Sequence, residues 1–207
     1  MQPLPMTTES MHAWLRGWKT TTQRMLKPVP HPRAQPAGMN AQGAWTFDDD
    51  TVCPPKFGVV GDSIWLQEPY AIISAYALTD NVHVRTPVPS SISVSVPQVV
   101  VYEADWTTPL IGVKWQTWHT MPEWAHRISL TIRDRTIHQL RDTTDAHAID
   151  EGLRWPQDTV GEPGMMRMRY ARLWDRIHGS GAWRRDAERW VEVLTFDRCP
   201  NPIEGYD

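Results

Sequence analysis

Cysteine is nearly absent from this 207-residue chain. Cys53 and Cys199 are its only two, too few for a disulfide framework, which places the protein in a reducing cytoplasm. No apolar run approaches the roughly 18 residues that a membrane-spanning helix requires, so no membrane partner is expected. The first ten residues lack the basic and apolar regions of a secretory signal. Charge of one sign is also lacking. A net charge of -3 provides no global attraction for nucleic acid, so any such site must be a local patch. Neither an internal repeat nor a domain boundary is visible, and a single domain over residues 1–207 is expected.

Several chemistries are missing as well. His119 and His126 stand seven apart with no cysteine pair nearby, whereas zinc wants three or four close ligands. No metal and no cofactor is expected. There is no phosphate-binding G-x-x-x-x-G-K-[ST] loop and no nucleophile-elbow sequence.

What is abundant is tryptophan, with twelve residues. The preference of large rings for burial assigns most of them to the core. A few remain as candidates to stack on bases or sugars.

Periodicity predicts an α+β protein with a mostly antiparallel sheet. Thr7 to Arg16 reads as a short helix capped by Thr8 or Ser10 and stopped by Gly17. Lys19 to Leu26 reads as extended. Pro28 to Gly43 has no periodic signal and reads as a loop or meander. Phe57 to Val60 and Ser63 to Leu66 read as strands about a Gly61-Asp62 turn. Tyr70 to Leu78 is apolar and able to continue the sheet, Val99 to Glu103 reads as a short strand, and Asn81 to Pro97 reads as an exposed excursion or edge hairpin. Arg127 to Gln139 is the clearest strand, with Ile128, Leu130 and Ile132 alternating against polar neighbours. A helix capped in Asp142-Thr143-Thr144 runs through Asp150. Met165 to His178 forms another, with Tyr170, Leu173, Trp174 and Ile177 as its apolar face. Trp190 to Phe196 is a final strand.

The octapeptide Gly17-Trp18-Lys19-Thr20-Thr21-Thr22-Gln23-Arg24 carries the most chemistry. It sets an amine, a run of hydroxyls and a guanidinium after a helix-stopping glycine. A lysine near a threonine can activate a hydroxyl, or equally hold a phosphate or a base edge.

Its pattern Gly17-x-Lys19-Thr20-x-Thr22-x-Arg24 resembles the N-terminal signature of the ASCH domain, a branch of the PUA-like superfamily. Four further stretches resemble phage and prophage proteins of that type, in the same order. They are Gly61-Asp62-x-x-Trp65-x-x-Glu68, Met121-Pro122-x-Trp124-Ala125-x-Arg127-Ile128, Asp145-Ala146-x-Ala148-x-x-Glu151-Gly152 and Leu173-Trp174-Asp175-x-Ile177-x-Gly179. The likeness spans residues 11–197, with insertions at about 28–56 and 81–97. It implies a small β-barrel with short helices at its ends, and a cleft for RNA, single-stranded nucleic acid or a modified nucleoside. The wider group includes a bacterial amidohydrolase acting on N4-acetylcytidine. By that resemblance the catalytic positions are Lys19, Thr22 and Glu151, and the binding positions are Arg24, Trp65, Glu68, Trp124 and Arg127. The family usually carries arginine where this chain has Trp18, Gln23, Gln67 and Glu123, which weakens a phosphate-gripping surface more than a nucleoside pocket.

Two functions therefore compete. In the first, Thr22 attacks an acyl carbon, Lys19 takes its proton, Glu151 protonates the leaving amine or orients Lys19, and backbone N–H groups of residues 20–24 hold the oxyanion. Residues 19 and 22 point to opposite faces of a regular strand, so this requires a break between them. In the second, the cleft binds without turnover. Arg24, Lys27, Arg127 and Arg133 would contact phosphate or carbonyl groups, with Trp65, Trp118 or Trp124 stacking on a ring. A third reading is a phage accessory protein acting through protein contacts.

Overall fold

The computed structural model describes residues 1–74, 86–87, 98–106, 113–155 and 161–198. It is a mixed α+β protein with three sheets and short helices.

The main sheet has the order β1-β6-β10-β11-β2, formed by Gln2–Pro5, Ser63–Gln67, Ser129–Gln139, Trp190–Arg198 and Thr21–Met25 respectively. The neighbours of β10 and β11 are antiparallel, and β1 runs parallel to β6. Strand β1 was not expected, because Pro3 and Pro5 argue against a ladder. An edge position tolerates them, since one side of the strand needs no donors. Among the described residues the sheet does not close on itself: β1 and β2 are its two edges.

Helix α1, Thr8–Leu15, is capped by Thr7, whose hydroxyl accepts from the Ser10 backbone N–H at 3.2 Å. The cap is thus one residue before the expected Thr8. Met11, Trp14 and Leu15 of α1 pack with Leu4, Ile64, Leu66, Leu130, Ile132 and Leu194 of the sheet. Each such aliphatic side chain removed from water contributes roughly 1.5–3 kcal/mol, and this cluster anchors α1 across the sheet.

Strand β10 keeps the expected alternation only to Ile132. The register against β11 shifts between Ile132 and Asp134. After this bulge the buried positions become Arg135 and Gln139, since one extra residue reverses which side chains face inward. Arg135 then pairs with Glu192 of β11, Nε to Oε1 at 2.8 Å, and Trp45 Nε1 donates to the same oxygen at 2.9 Å.

Trp45 belongs to a small sheet of β3 (Pro36–Met39), β4 (Trp45–Phe47) and β5 (Val52–Cys53). The segment expected to be loop is therefore partly a hairpin, packed on Trp190 through Phe47 and Cys53. Burial raises the Cys53 thiol to about 11, which leaves it a core group rather than a nucleophile.

Phe57 to Val60 is not a strand. Gly58 and Gly61 have φ of 114° and 94°, and the Asp62 carboxylate accepts the Val59 N–H at 2.8 Å, a side-chain turn that displaces ladder pairing. A third sheet joins β7 (Tyr70–Ser74), β9 (Gln98–Tyr102) and β8 (Thr86–Pro87) in the order β7-β9-β8. Apart from Thr86–Pro87, the predicted excursion at Asn81 to Pro97 lies outside the described residues, as does Ala75 to Leu78.

Helix α2, Asp145–Asp150, starts from a capping box in which the Thr144 hydroxyl and the His147 side chain satisfy each other's backbone N–H. Helix α3, Met165–His178, buries Met166, Tyr170 and Trp174. Ile177, expected on that face, is 47% exposed. A short helix α4, Ala182–Arg185, follows before β11. None of the described helices is long and apolar enough to cross a membrane.

Candidate functional site

The site begins where α1 ends. Gly17 turns with φ 70°, and the N–H groups of Trp18 and Lys19 both return to the Ala13 carbonyl, at 2.8 and 3.2 Å. This wraps the chain over the end of α2. There Lys19 pairs with Glu151 as an isolated antiparallel bridge, and Thr20 N–H donates to the Asp150 carbonyl at 2.9 Å. Only then does β2 begin. Gly152 makes the approach possible: with φ 96°, it offers no Cβ where one would lie 2.5 Å from Ala13 Cβ and 3.1 Å from Lys19 Cβ.

Lys19, Thr22 and Glu151 all line one cavity of about 60 Å³, space for roughly two water molecules. The break between residue 19 and the strand start at Thr21 removes the opposition of faces that a regular strand would impose. Pro5 of β1, Arg24 of β2, and Tyr170, Trp174 and His178 of α3 complete the principal walls.

Glu151, the C-cap of α2, ties the walls together. One carboxylate oxygen accepts from Lys19 Nζ. The other accepts from the Gln23 backbone N–H, which points from the free edge of β2, and lies 3.5 Å from the Tyr170 hydroxyl. Lys19 Nζ also donates to the Glu151 carbonyl at 3.2 Å. The Lys19 and Glu151 side chains are only 2% and 7% exposed.

Burial lowers the proton affinity of Lys19, and Arg24 adds to that effect; the adjacent Glu151 carboxylate opposes it without reversing it. Burial likewise lowers Arg24 and holds the Tyr170 phenol well above its ordinary value, with Glu151 adding to the rise. Tyr170 therefore stays protonated and serves as a donor.

The predicted binding residues divide. Arg24 lines the cavity; its Nη2 donates to the Pro5 carbonyl at 2.7 Å. Glu68 and Arg127 form a separate buried pair, Nε to Oε1 and Nη2 to Oε2 both at 2.8 Å, and Arg127 Nη1 reaches Asp105 at 2.6 Å. The Arg127 guanidinium also lies over the Tyr102 ring, 4.2 Å from its centre. Burial raises Glu68, although Arg127 counters it. Trp65 is core, packed with Tyr70, Val100, Tyr102, Met121 and Ala125, and Trp124 lies partly buried against the same cluster. None of these four lines the Lys19 cavity. Lys27 and Arg133 are exposed, Arg133 beside Asp197 at 3.5 Å. Trp118 is 37% exposed, with its ring against His119.

The sequence places Tyr170 and Trp174 on the apolar face of α3 and gives His178 no role, and the structure puts all three on the cavity wall. Their spacing of four residues on α3 was the available signal, since it places all three on one helix face. The His178 ring lies tilted against Trp174, with ring centres 4.3 Å apart. Trp18, outside the cavity, is flanked by the Arg16 and Arg154 guanidinium groups at 5.0 and 5.4 Å from its ring centre. Among the described residues no group of three or more His, Cys, Asp or Glu is placed to hold a metal ion.

No protein-family model, curated protein or solved structure matches the chain.

Proposed function

We propose that the cavity binds the acylated amine of a modified nucleobase and hydrolyses its amide bond, with N4-acetylcytidine as the representative substrate. The observation that carries this reading is the meeting of Lys19, Thr22 and Glu151 in one cavity, although Lys19 and Glu151 lie 132 residues apart in sequence. The cavity volume favours an acyl group inside and the base at the mouth. The same reading takes the main sheet as an opened PUA-like barrel. Its two edge strands approach closely enough for Arg24 of β2 to bond Pro5 of β1.

The chemistry follows from burial. In the fraction of molecules with Lys19 neutral, a fraction that burial increases, its amine takes the Thr22 hydroxyl proton as Oγ1 bonds to the acyl carbon. Collapse of the tetrahedral intermediate breaks the C–N bond, and Lys19 returns the proton to the leaving amine. Water then attacks the threonyl ester, Lys19 again moving the proton, and a carboxylate leaves as the hydroxyl is restored. Glu151 orients the amine throughout.

Binding without turnover is the second reading. It is favoured by Lys19 Nζ being bonded to Glu151 rather than to the Thr22 hydroxyl. The two readings separate on one assay. Purified protein is incubated with N4-acetylcytidine, and released acetate is measured for the wild type, Lys19→Ala and Thr22→Ala. Hydrolysis predicts release that both replacements abolish while the circular dichroism is kept. Release that survives both replacements rules the mechanism out. Saturable binding with no acetate released selects the binding module.

A further inference from the structure

Arg24 is the unbalanced charge of the cavity. It lines the cavity together with Thr22, Pro5 and residues of α3. Among the described residues its sole hydrogen bond is the one from Nη2 to the Pro5 carbonyl, an uncharged acceptor. Its Nε is shielded from solvent and has no acceptor. No carboxylate of the described residues is paired with it within 4.0 Å, the range at which Arg127 and Arg135 are both paired. Glu151 acts on Arg24 only at longer range, because its two oxygens are taken by Lys19 Nζ and the Gln23 N–H. The cavity thus holds two cationic side chains, Lys19 and Arg24, against one carboxylate. Arg24 is half-buried, and a partly desolvated guanidinium without a counter-charge binds a carboxylate through charge-assisted hydrogen bonds when one is supplied.

Two neighbouring groups point the same way. Trp174 lines the cavity, and its indole N–H is shielded from solvent with no acceptor among the described residues. The Thr22 hydroxyl makes no hydrogen bond with the described residues. Two of the backbone donors expected to hold an oxyanion are meanwhile committed: Thr20 N–H to Asp150 and Gln23 N–H to Glu151. Negative charge arriving here meets side-chain donors, and Arg24 is the strongest.

We propose that the cavity is a carboxylate site in which the Arg24 guanidinium and the Thr22 hydroxyl hold an anionic oxygen of the ligand. Under the hydrolytic function above, on which this identification of the anion rests, that oxygen is the oxyanion of the tetrahedral intermediate and then the carboxylate product. The product acid is accordingly a competitive inhibitor. Arg24 stabilises charge on the acyl oxygen, and Lys19 moves the proton.

The test uses sodium acetate as the probe, with inorganic phosphate as a second anion. Binding is followed by two-dimensional NMR and by the thermal midpoint, at constant ionic strength. Acetate should bind saturably to the wild type, and Arg24→Met should weaken it by roughly 10- to 100-fold, the range for a hydrogen bond to a charged group. Arg24→Lys should retain part of the affinity. Because Arg24 also bonds Pro5, Arg24→Met can lose the fold. Thr22→Val then carries the test, with an expected loss of about 2- to 10-fold in acetate affinity and an unchanged thermal midpoint without acetate. Equal acetate affinity in the wild type, Arg24→Lys and Thr22→Val overturns the proposal, as does phosphate binding tighter than acetate. Hydrolysis of N4-acetylcytidine with no acetate binding also overturns it and leaves the function standing. Acetate binding lost with Arg24→Met, without hydrolysis, supports the site and overturns the function.

Discussion

Lys19 Nζ and the Glu151 carboxylate form an ion pair almost wholly removed from water, at the point where the end of α1 crosses the end of α2. Removing one partner leaves an uncompensated buried charge, at a typical cost of roughly 3–5 kcal/mol. Replacing both with apolar groups of similar volume is often close to neutral. Glu151→Leu should therefore lower the urea-unfolding free energy by that amount, and Lys19→Met/Glu151→Leu should recover most of it. Equal stability of the single and double variants would show the pair to be uncoupled.

Lys19 also sets a pH dependence. Burial puts its folded-state proton affinity below the unfolded value of 10.5. Between the two values the unfolded chain binds more protons, so this residue's contribution to stability rises with pH and levels off above about 10.5. The stability difference between the wild type and Lys19→Met should shift in favour of the wild type as pH increases through that window. Urea titrations at several alkaline pH values measure it.

His138 titrates in the acid range. Burial lowers it from 6.5 to about 4, and the stacked His147 ring, 4.6 Å away, adds to the effect. The contribution is present above pH 6.5 and is lost as pH falls toward 4, because the unfolded chain takes up the proton first. Wild-type stability should decline across that interval, and His138→Gln should flatten the decline. An identical acid profile in the variant would assign the loss to other groups.

Glu68 and Arg127 should behave as a structural pair. Arg127→Met leaves a buried carboxylate beside Asp105 and should cost roughly 3–5 kcal/mol. Any acetate release, normalised to folded protein, should be unchanged. A large loss of turnover in fully folded Arg127→Met would return this arginine to the site.

Gly152→Ala tests the crossing itself. The left-handed conformation alone costs roughly 1–2 kcal/mol for a residue with a Cβ, and that Cβ would meet Ala13 Cβ at 2.5 Å. A lowered thermal midpoint and displaced Lys19 and Glu151 NMR signals are expected. Wild-type spectra in the variant would mean that α1 and α2 do not depend on this approach.

Local chemistry made much of the fold legible. Helix α2 announced itself through its Thr144 cap, α3 through its apolar spacing, and β10 through its first alternating residues. Each depends on groups a few positions apart. The failures have physical causes of the same kind. Two prolines hid β1, whose edge position makes them harmless. The Asp62 side chain turned Phe57 to Val60 away from a ladder. A bulge at Arg133 reversed the burial of everything after it in β10.

The amino-acid order by itself determined that a lysine and a threonine follow a helix stop, and that a glutamate ends a short capped helix. It could not say whether they meet, because that depends on α1 and α2 crossing at Gly152. The arginines show the same division. Arg24 and Arg127 are equivalent as letters, each a cation near a strand. Only the tertiary structure gave Arg127 two carboxylates and left Arg24 with a carbonyl beside a cavity, since the partner of a buried charge is chosen by packing rather than by sequence neighbours.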